Sequence, residues 1–145
     1  MSPLDVQVIK RKLALIVQNL KALEPIVEMT AAEYSADIYR RKATERLLQE
    51  LIEAAIDINI HIVAATGNPP PDDYYESFIK AGEFKILSPQ LAERLAPSAG
   101  LRNRLVHEYN GLDHTMVLRS VKMAQELYPH YIKEINDYIA SLRSD

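Results

Sequence analysis

The chain contains no cysteine, which excludes a disulfide framework, a thiolate nucleophile and any zinc–thiolate site, and removes any need for an oxidising compartment. Glycine is scarce, with four in 145 residues, and no stretch sustains a period-two alternation of apolar and polar positions, so no sheet is predicted. No run reaches the roughly 18 uncharged apolar residues of a membrane span. The opening stretch MSPLDVQVIKRKL turns charged too soon for a signal-peptide core. A cytoplasmic protein without a membrane anchor is the expectation. A basic excess is also missing: the formal net charge is −3, so contact with nucleic acid by phosphate neutralisation has to be local, not a property of the whole surface.

What the chain does have is apolar residues, 48% of the total, at helical spacing. Its length suits one domain, 1–145, with one continuous core. A first helix over about residues 5–23 carries Val6, Ile9, Leu13, Ile16, Val17, Leu20 and Leu23 on one stripe, with Pro25 ending or kinking it. A second, over about 36–66, is apolar on more than one face and therefore central. Gly67 and the three prolines of TGNPPPDD close it. Shorter helices are expected through YYESFIKAG and from Ser88 as N-cap with Pro89 in the first turn, and APSAG reads as a break. A last helix over about 113–142 places Val117, Val121, Ala124, Tyr128, Tyr131, Ile135, Tyr138 and Leu142 in steps of four and three, a packing seam on a helix that Pro129 is expected to kink. The fold class is all-α, a partly up-down bundle of four or five main helices.

The densest basic neighbourhoods are 10–12, 40–42 and the pair Arg102 and Arg104. The first two read as solvated helix faces. The third belongs to GLRNRLVHEYN, where two arginines, two amides, a histidine, a carboxylate and a tyrosine fall within eleven positions, at the end of a short helix before the chain turns at NGLD. On a helix, Arg102 and Tyr109 share a face, as do Asn103 and His107, whereas Arg102 and His107 diverge by about 140°. Cooperation between those two requires either unwinding before His107 or a cleft shared with a second copy of the chain. The residue types suit metal-free phosphodiester cleavage: imidazole ordinarily titrates near neutrality and can move protons, and a guanidinium can brace charge on phosphate oxygens. By spacing alone, an arginine and a histidine near a helix end more often cap carbonyls or sit in solvent.

Arg102, four residues, His107, one residue and Tyr109 match the R-x-x-x-x-H-x-Y motif of HEPN-domain proteins. The longer GLRNRLVHEYNGLD resembles the HepT toxins of HepT/MntA (type VII) toxin–antitoxin pairs. RRKATERLLQELIEAAIDINIHIVAATG, PPPDDYYESFIKAGEF and LAERLA resemble other segments of that family in the same order, so the likeness spans most of the chain. It implies a HEPN-like dimer in which two motifs line a composite cleft acting on RNA as a metal-independent endoribonuclease, with no cofactor. Arg102 and His107 would be catalytic, Asn103 would assist the site's geometry and Arg104 could contact RNA. Tyr109 would be the residue to which an MntA-like nucleotidyltransferase antitoxin adds AMP.

Other readings compete. Asp57 and His61, four apart on the second helix, could join His107 or His114 around a metal ion, although no Glu-x-x-His pair supports a dimetal bundle. His114 and His130 read as a residue near a helix start and a solvated residue. Tyr128, Tyr131 and Tyr138 could stack on bases but sit in the packing seam. In a non-catalytic alternative, the chain only presents substrate to a separately encoded nucleotidyltransferase.

Overall fold

A computed structural model describes residues 4–108 and 111–143. Among them are seven α-helices and no strand: α1 (Val6–Leu23), α2 (Ala31–Ser35), α3 (Ile38–Ala65), α4 (Tyr74–Glu83), α5 (Pro89–Leu95), α6 (Ser98–His107) and α7 (His114–Arg143), with a 3-10 turn at Glu24–Ile26 after α1. Five of these have ten residues or more, in keeping with the expected bundle. No helix is long and apolar enough to cross a membrane among the described residues.

Side-chain caps fix the helix starts. Asp5 accepts from the Val8 amide, Asp37 from those of Tyr39 and Arg40, and Asp73 from that of Glu76, each satisfying donors that a first turn leaves free. Asp113 does the same for Thr115 and Met116 at the start of α7. α3 ends where Gly67 takes φ 85° and its amide donates to the Ala64 carbonyl, a left-handed position that glycine adopts without strain. Pro25 ends α1 in the 3-10 turn.

Two expectations need correction. Val17 is 47% exposed, because the buried stripe of α1 follows Ile9, Leu13, Ile16, Leu20 and Leu23 and Val17 falls just outside it. The break at APSAG is shorter than expected: only Ala96 and Pro97 separate α5 from α6, which begins at Ser98, its first turn closed by the Leu101 amide on the Pro97 carbonyl. Proline lacks only a donor, so Pro97 can precede a helix and supply its first acceptor. A helix was also missed: α2 is set by a reciprocal capping box of Thr30 and Glu33, whose signature T-A-A-E stands in the sequence.

Cross-helix bonds give the directions. Asp5 meets His61, Lys12 meets Asp57 and Asn19 meets Leu47, so α1 runs antiparallel to α3. Lys10 meets Asn136 and Gln125 meets Leu20, so α1 is also antiparallel to α7, and α3 and α7 point the same way. The bundle is therefore up-down only in part. α6 packs on α3 and α4, with Leu101 and Leu105 leaning on the core.

The tyrosines of α7 are core, not a stacking platform. Tyr128 and Tyr131 are buried, their rings edge-on at 5.8 Å, while Tyr138 is half-buried and Leu142 is exposed where the seam runs off the bundle. Burial pushes both Tyr128 and Tyr131 hydroxyls well above the usual phenol range, so they remain neutral donors. The Tyr131 hydroxyl lies 2.7 Å from Asn59 Oδ1 and 3.0 Å from the Ala55 carbonyl. Asn59 Nδ2 in turn donates to Ser77 Oγ, which donates to the Tyr74 carbonyl. This buried chain ties α7 through α3 to the first turn of α4. Tyr131→Phe removes the donor but keeps the ring, so stability should fall by about 1–3 kcal/mol. Urea unfolding should show a lower midpoint at unchanged m.

Candidate functional site

The basic neighbourhoods at 10–12 and 40–42 lie within α1 and α3, and several of their cations are engaged. Lys10 and Lys12 bond Asn136 and Asp57, Arg40 donates to the Glu33 carbonyl, and Lys42 faces Glu45 at 4.0 Å. Asp57 and His61 do not converge on a shared point either: Asp57 holds Lys12, and His61 Nε2 accepts the Asp5 amide. His114 sits at the start of α7 with Nδ1 2.6 Å from Ser35 Oγ and its ring edge-on to Tyr34, so it fastens α2 to α7. His130 is exposed.

Arg102 is held differently. Its Nε donates to Glu53 Oε2 at 2.9 Å, its Nη1 donates to Asn103 Oδ1 at 3.3 Å, and the guanidinium lies 5.1 Å from the centre of the Tyr74 ring, a cation–π distance. Glu53 comes from the middle of α3 and Tyr74 from the first turn of α4, so three helices meet at one arginine. Beside it lies a cleft of about 140 Å³ lined by Glu53, Ile56, Asp57, Tyr74 and Arg102. Asn103 thus contacts Arg102 directly.

His107 is the last residue of α6 and is exposed, five positions and about 7.5 Å along the axis from Arg102. The helix does not unwind before it, which removes one of the two ways for these side chains to cooperate. Within one chain they leave α6 in divergent directions. Arg104, also exposed, pairs with Glu108 at 3.4 Å. Both Arg104 and His107 lie in the last turn, where positive charge suits the helix dipole. Tyr109 lies outside the described residues. Sequence reasoning missed Glu53 and Tyr74. Glu53 stands among apolar neighbours in ELIEAAIDI and Tyr74 follows a capping aspartate, but only the packing of α3, α4 and α6 reveals what they face.

An all-α bundle with an Arg–His motif on a short helix is the class that this fold and site define. The family model described as "Ribonuclease HepT-like" matches residues 16–136, and the chain belongs to that family. It is 37% identical over 145 residues, covering 100% of this chain and 99% of the other, to the tRNA nuclease HepT of Aphanizomenon flos-aquae. Among solved structures, the fold resembles the tri-AMPylated HEPN toxin of Shewanella oneidensis in complex with MNT antitoxin, at TM-score 0.70 and 24% identity over 95% of this chain and 98% of that one. It also resembles the cytosolic protein YutE of Bacillus subtilis, at TM-score 0.84 and 18% identity over 97% and 94%.

Proposed function

We propose that the chain is the toxin of a HepT/MntA pair, a cytoplasmic endoribonuclease that cuts RNA without metal at a cleft built by two copies and is silenced by AMP added to Tyr109. The observation that carries the reading is Arg102 itself: a guanidinium fixed by Glu53, Asn103 and Tyr74 on the same short helix that displays His107. Full-length similarity to a protein named tRNA nuclease supports RNA as substrate and makes tRNA the first kind to test. The divergence of Arg102 and His107 on an unbroken helix favours a two-copy site, in which the Arg102 of one protomer and the His107 of the other can face one phosphate.

The ribose 2′-hydroxyl attacks the adjacent phosphorus while a base takes its proton, and the 5′-oxygen leaves with a proton from an acid. The products are a 2′,3′-cyclic phosphate and a free 5′-hydroxyl. His107 supplies the proton transfers, with two copies dividing the base and acid roles between them. Arg102 meets the charge that builds on the non-bridging oxygens, Asn103 holds it, and Arg104 contacts the RNA backbone. In silencing, the Tyr109 hydroxyl attacks the α-phosphorus of ATP and pyrophosphate leaves. The product carries a nucleotide and a negative charge two residues beyond the last residue of α6.

Purified protein should cleave tRNA as well in excess chelator as without it, and end-mapping should find 2′,3′-cyclic phosphates. Loss of cleavage on chelation would return the site to metal chemistry. No cleavage of tRNA or messenger at any protein concentration would favour the non-catalytic partner of a nucleotidyltransferase.

A further inference from the structure

We infer that Glu53 is the positioning residue of the nuclease site: it clamps the Nε edge of Arg102 so that the outer end of the guanidinium fork faces the scissile phosphate. This rests on the assignment of Arg102 as catalytic.

Arginine carries its charge on a long stem with several rotors, and braces a transition state well only if its donors are aimed before the reaction begins. Here three contacts limit how the guanidinium can turn. Glu53 Oε2 accepts Nε–H, which blocks the side of the fork formed by Nε and its neighbour. Asn103 takes one Nη1 hydrogen, and the Tyr74 ring covers one face. The other Nη1 hydrogen and both Nη2 hydrogens bond no described residue, so the distal end is left for a phosphate.

Glu53 is itself prepared. Gln49, one turn earlier on α3, donates Nε2 to the same Oε2 at 3.4 Å. Asp57, one turn later and lining the same cleft, is engaged by Lys12, which leaves Glu53 as the counter-charge of Arg102. With side chains 19% and 32% accessible, Arg102–Glu53 is the least exposed ion pair among the described residues. Tyr74 is anchored by the buried chain from Tyr131 through Asn59 and Ser77. The carboxylates of Glu53 and Asp57 line the cleft beside Arg102, which disfavours the RNA backbone inside the cleft itself.

The test measures kcat and KM under single-turnover and steady-state conditions for the full-length protein, Glu53→Ala, Glu53→Gln, Arg102→Ala and the double variant Glu53→Ala/Arg102→Ala. A glutamine still accepts Nε–H through its amide oxygen. Glu53→Ala should lower kcat about 100-fold, the scale of a misplaced catalytic group, with KM changed less than about threefold. Glu53→Gln should recover at least about tenfold of that loss. In the Arg102→Ala background, Glu53→Ala should cost nothing more. A faster Glu53→Ala enzyme would mean that Glu53 restrains Arg102, and would overturn the proposal. So would a loss of equal size with and without Arg102, or equal losses in the alanine and glutamine variants. If Arg102→Ala cleaves like the parent, the assignment of Arg102 fails and this proposal with it. If Arg102→Ala is impaired while Glu53→Ala is not, only the proposal fails.

Discussion

Arg102→Ala should leave a folded chain whose RNA cleavage is slower by about 10²–10³-fold, the usual consequence of losing one preorganised donor to a developing oxyanion. His107→Ala should cost about 10²–10⁴-fold through loss of proton transfer. Neither loss should come from unfolding. His107 is exposed at the end of α6, and removing Arg102 strands only Glu53, which is partly open to water and can be hydrated at small cost. Arg102→Lys should resemble the alanine variant far more than the parent. An ammonium is a single point charge on a flexible stem and cannot satisfy Glu53 and Asn103 while offering a fork to phosphate. Expression without a partner gives the cellular measure: the parent should arrest growth and deplete RNA, and both alanine variants should grow. Parental toxicity in both would show that the site lies elsewhere.

Much of this was legible in the sequence, because the signals are local. A helix with one buried stripe announces itself by its period, as α1 does, and the start of α5 stands in the chain as Ser88 ahead of Pro89. The position of Arg102 and His107 on a short helix that ends before NGLD follows from the same rules. Local rules misjudged 96–100, where proline and glycine together suggested a break. Pro97 instead supplies the first acceptor of α6, and a Cβ at Gly100 would meet nothing within 4 Å, so that glycine is an ordinary exposed helical position.

Glu53 and Tyr74 were out of reach for another reason. Their role exists only where α3, α4 and α6 converge, 49 and 28 positions from Arg102 along the chain. A carboxylate in an apolar helix is a visible anomaly, since it is seldom well buried without a partner. The sequence thus offered the question of what Glu53 pairs with, but not the answer. Ser88 shows the reverse case. Its place before Pro89 predicted an N-cap, yet its hydroxyl does not cap α5. Its amide and hydroxyl both donate to Glu134 of α7, so a local signal was diverted into a tertiary bond.

Tyr109→Phe should separate killing from silencing. The substitution removes one oxygen from a residue that takes no part in the proposed proton transfers, so cleavage should stay within about threefold of the parent, far below the losses expected of a catalytic group. The described residues that flank it are held in place. Glu108 closes α6 by donating its amide to the Arg104 carbonyl, Leu112 is buried, and α7 starts from the Asp113 cap with His114 against Ser35 and Tyr34. A modification at 109, two residues past His107, adds a phosphodiester whose negative charge repels the RNA backbone. Incubated with the antitoxin and ATP, the parent should gain mass in adenylyl steps and lose nuclease activity, whereas Tyr109→Phe should gain none and keep cutting. In cells, co-expressed antitoxin should rescue growth with the parent and fail with the variant. If Tyr109→Phe still gains adenylyl groups, the acceptor is another hydroxyl. Tyr39, 85% exposed one residue after the start of α3, is the first to replace. Rescue without any mass gain would mean instead that the antitoxin silences by binding alone.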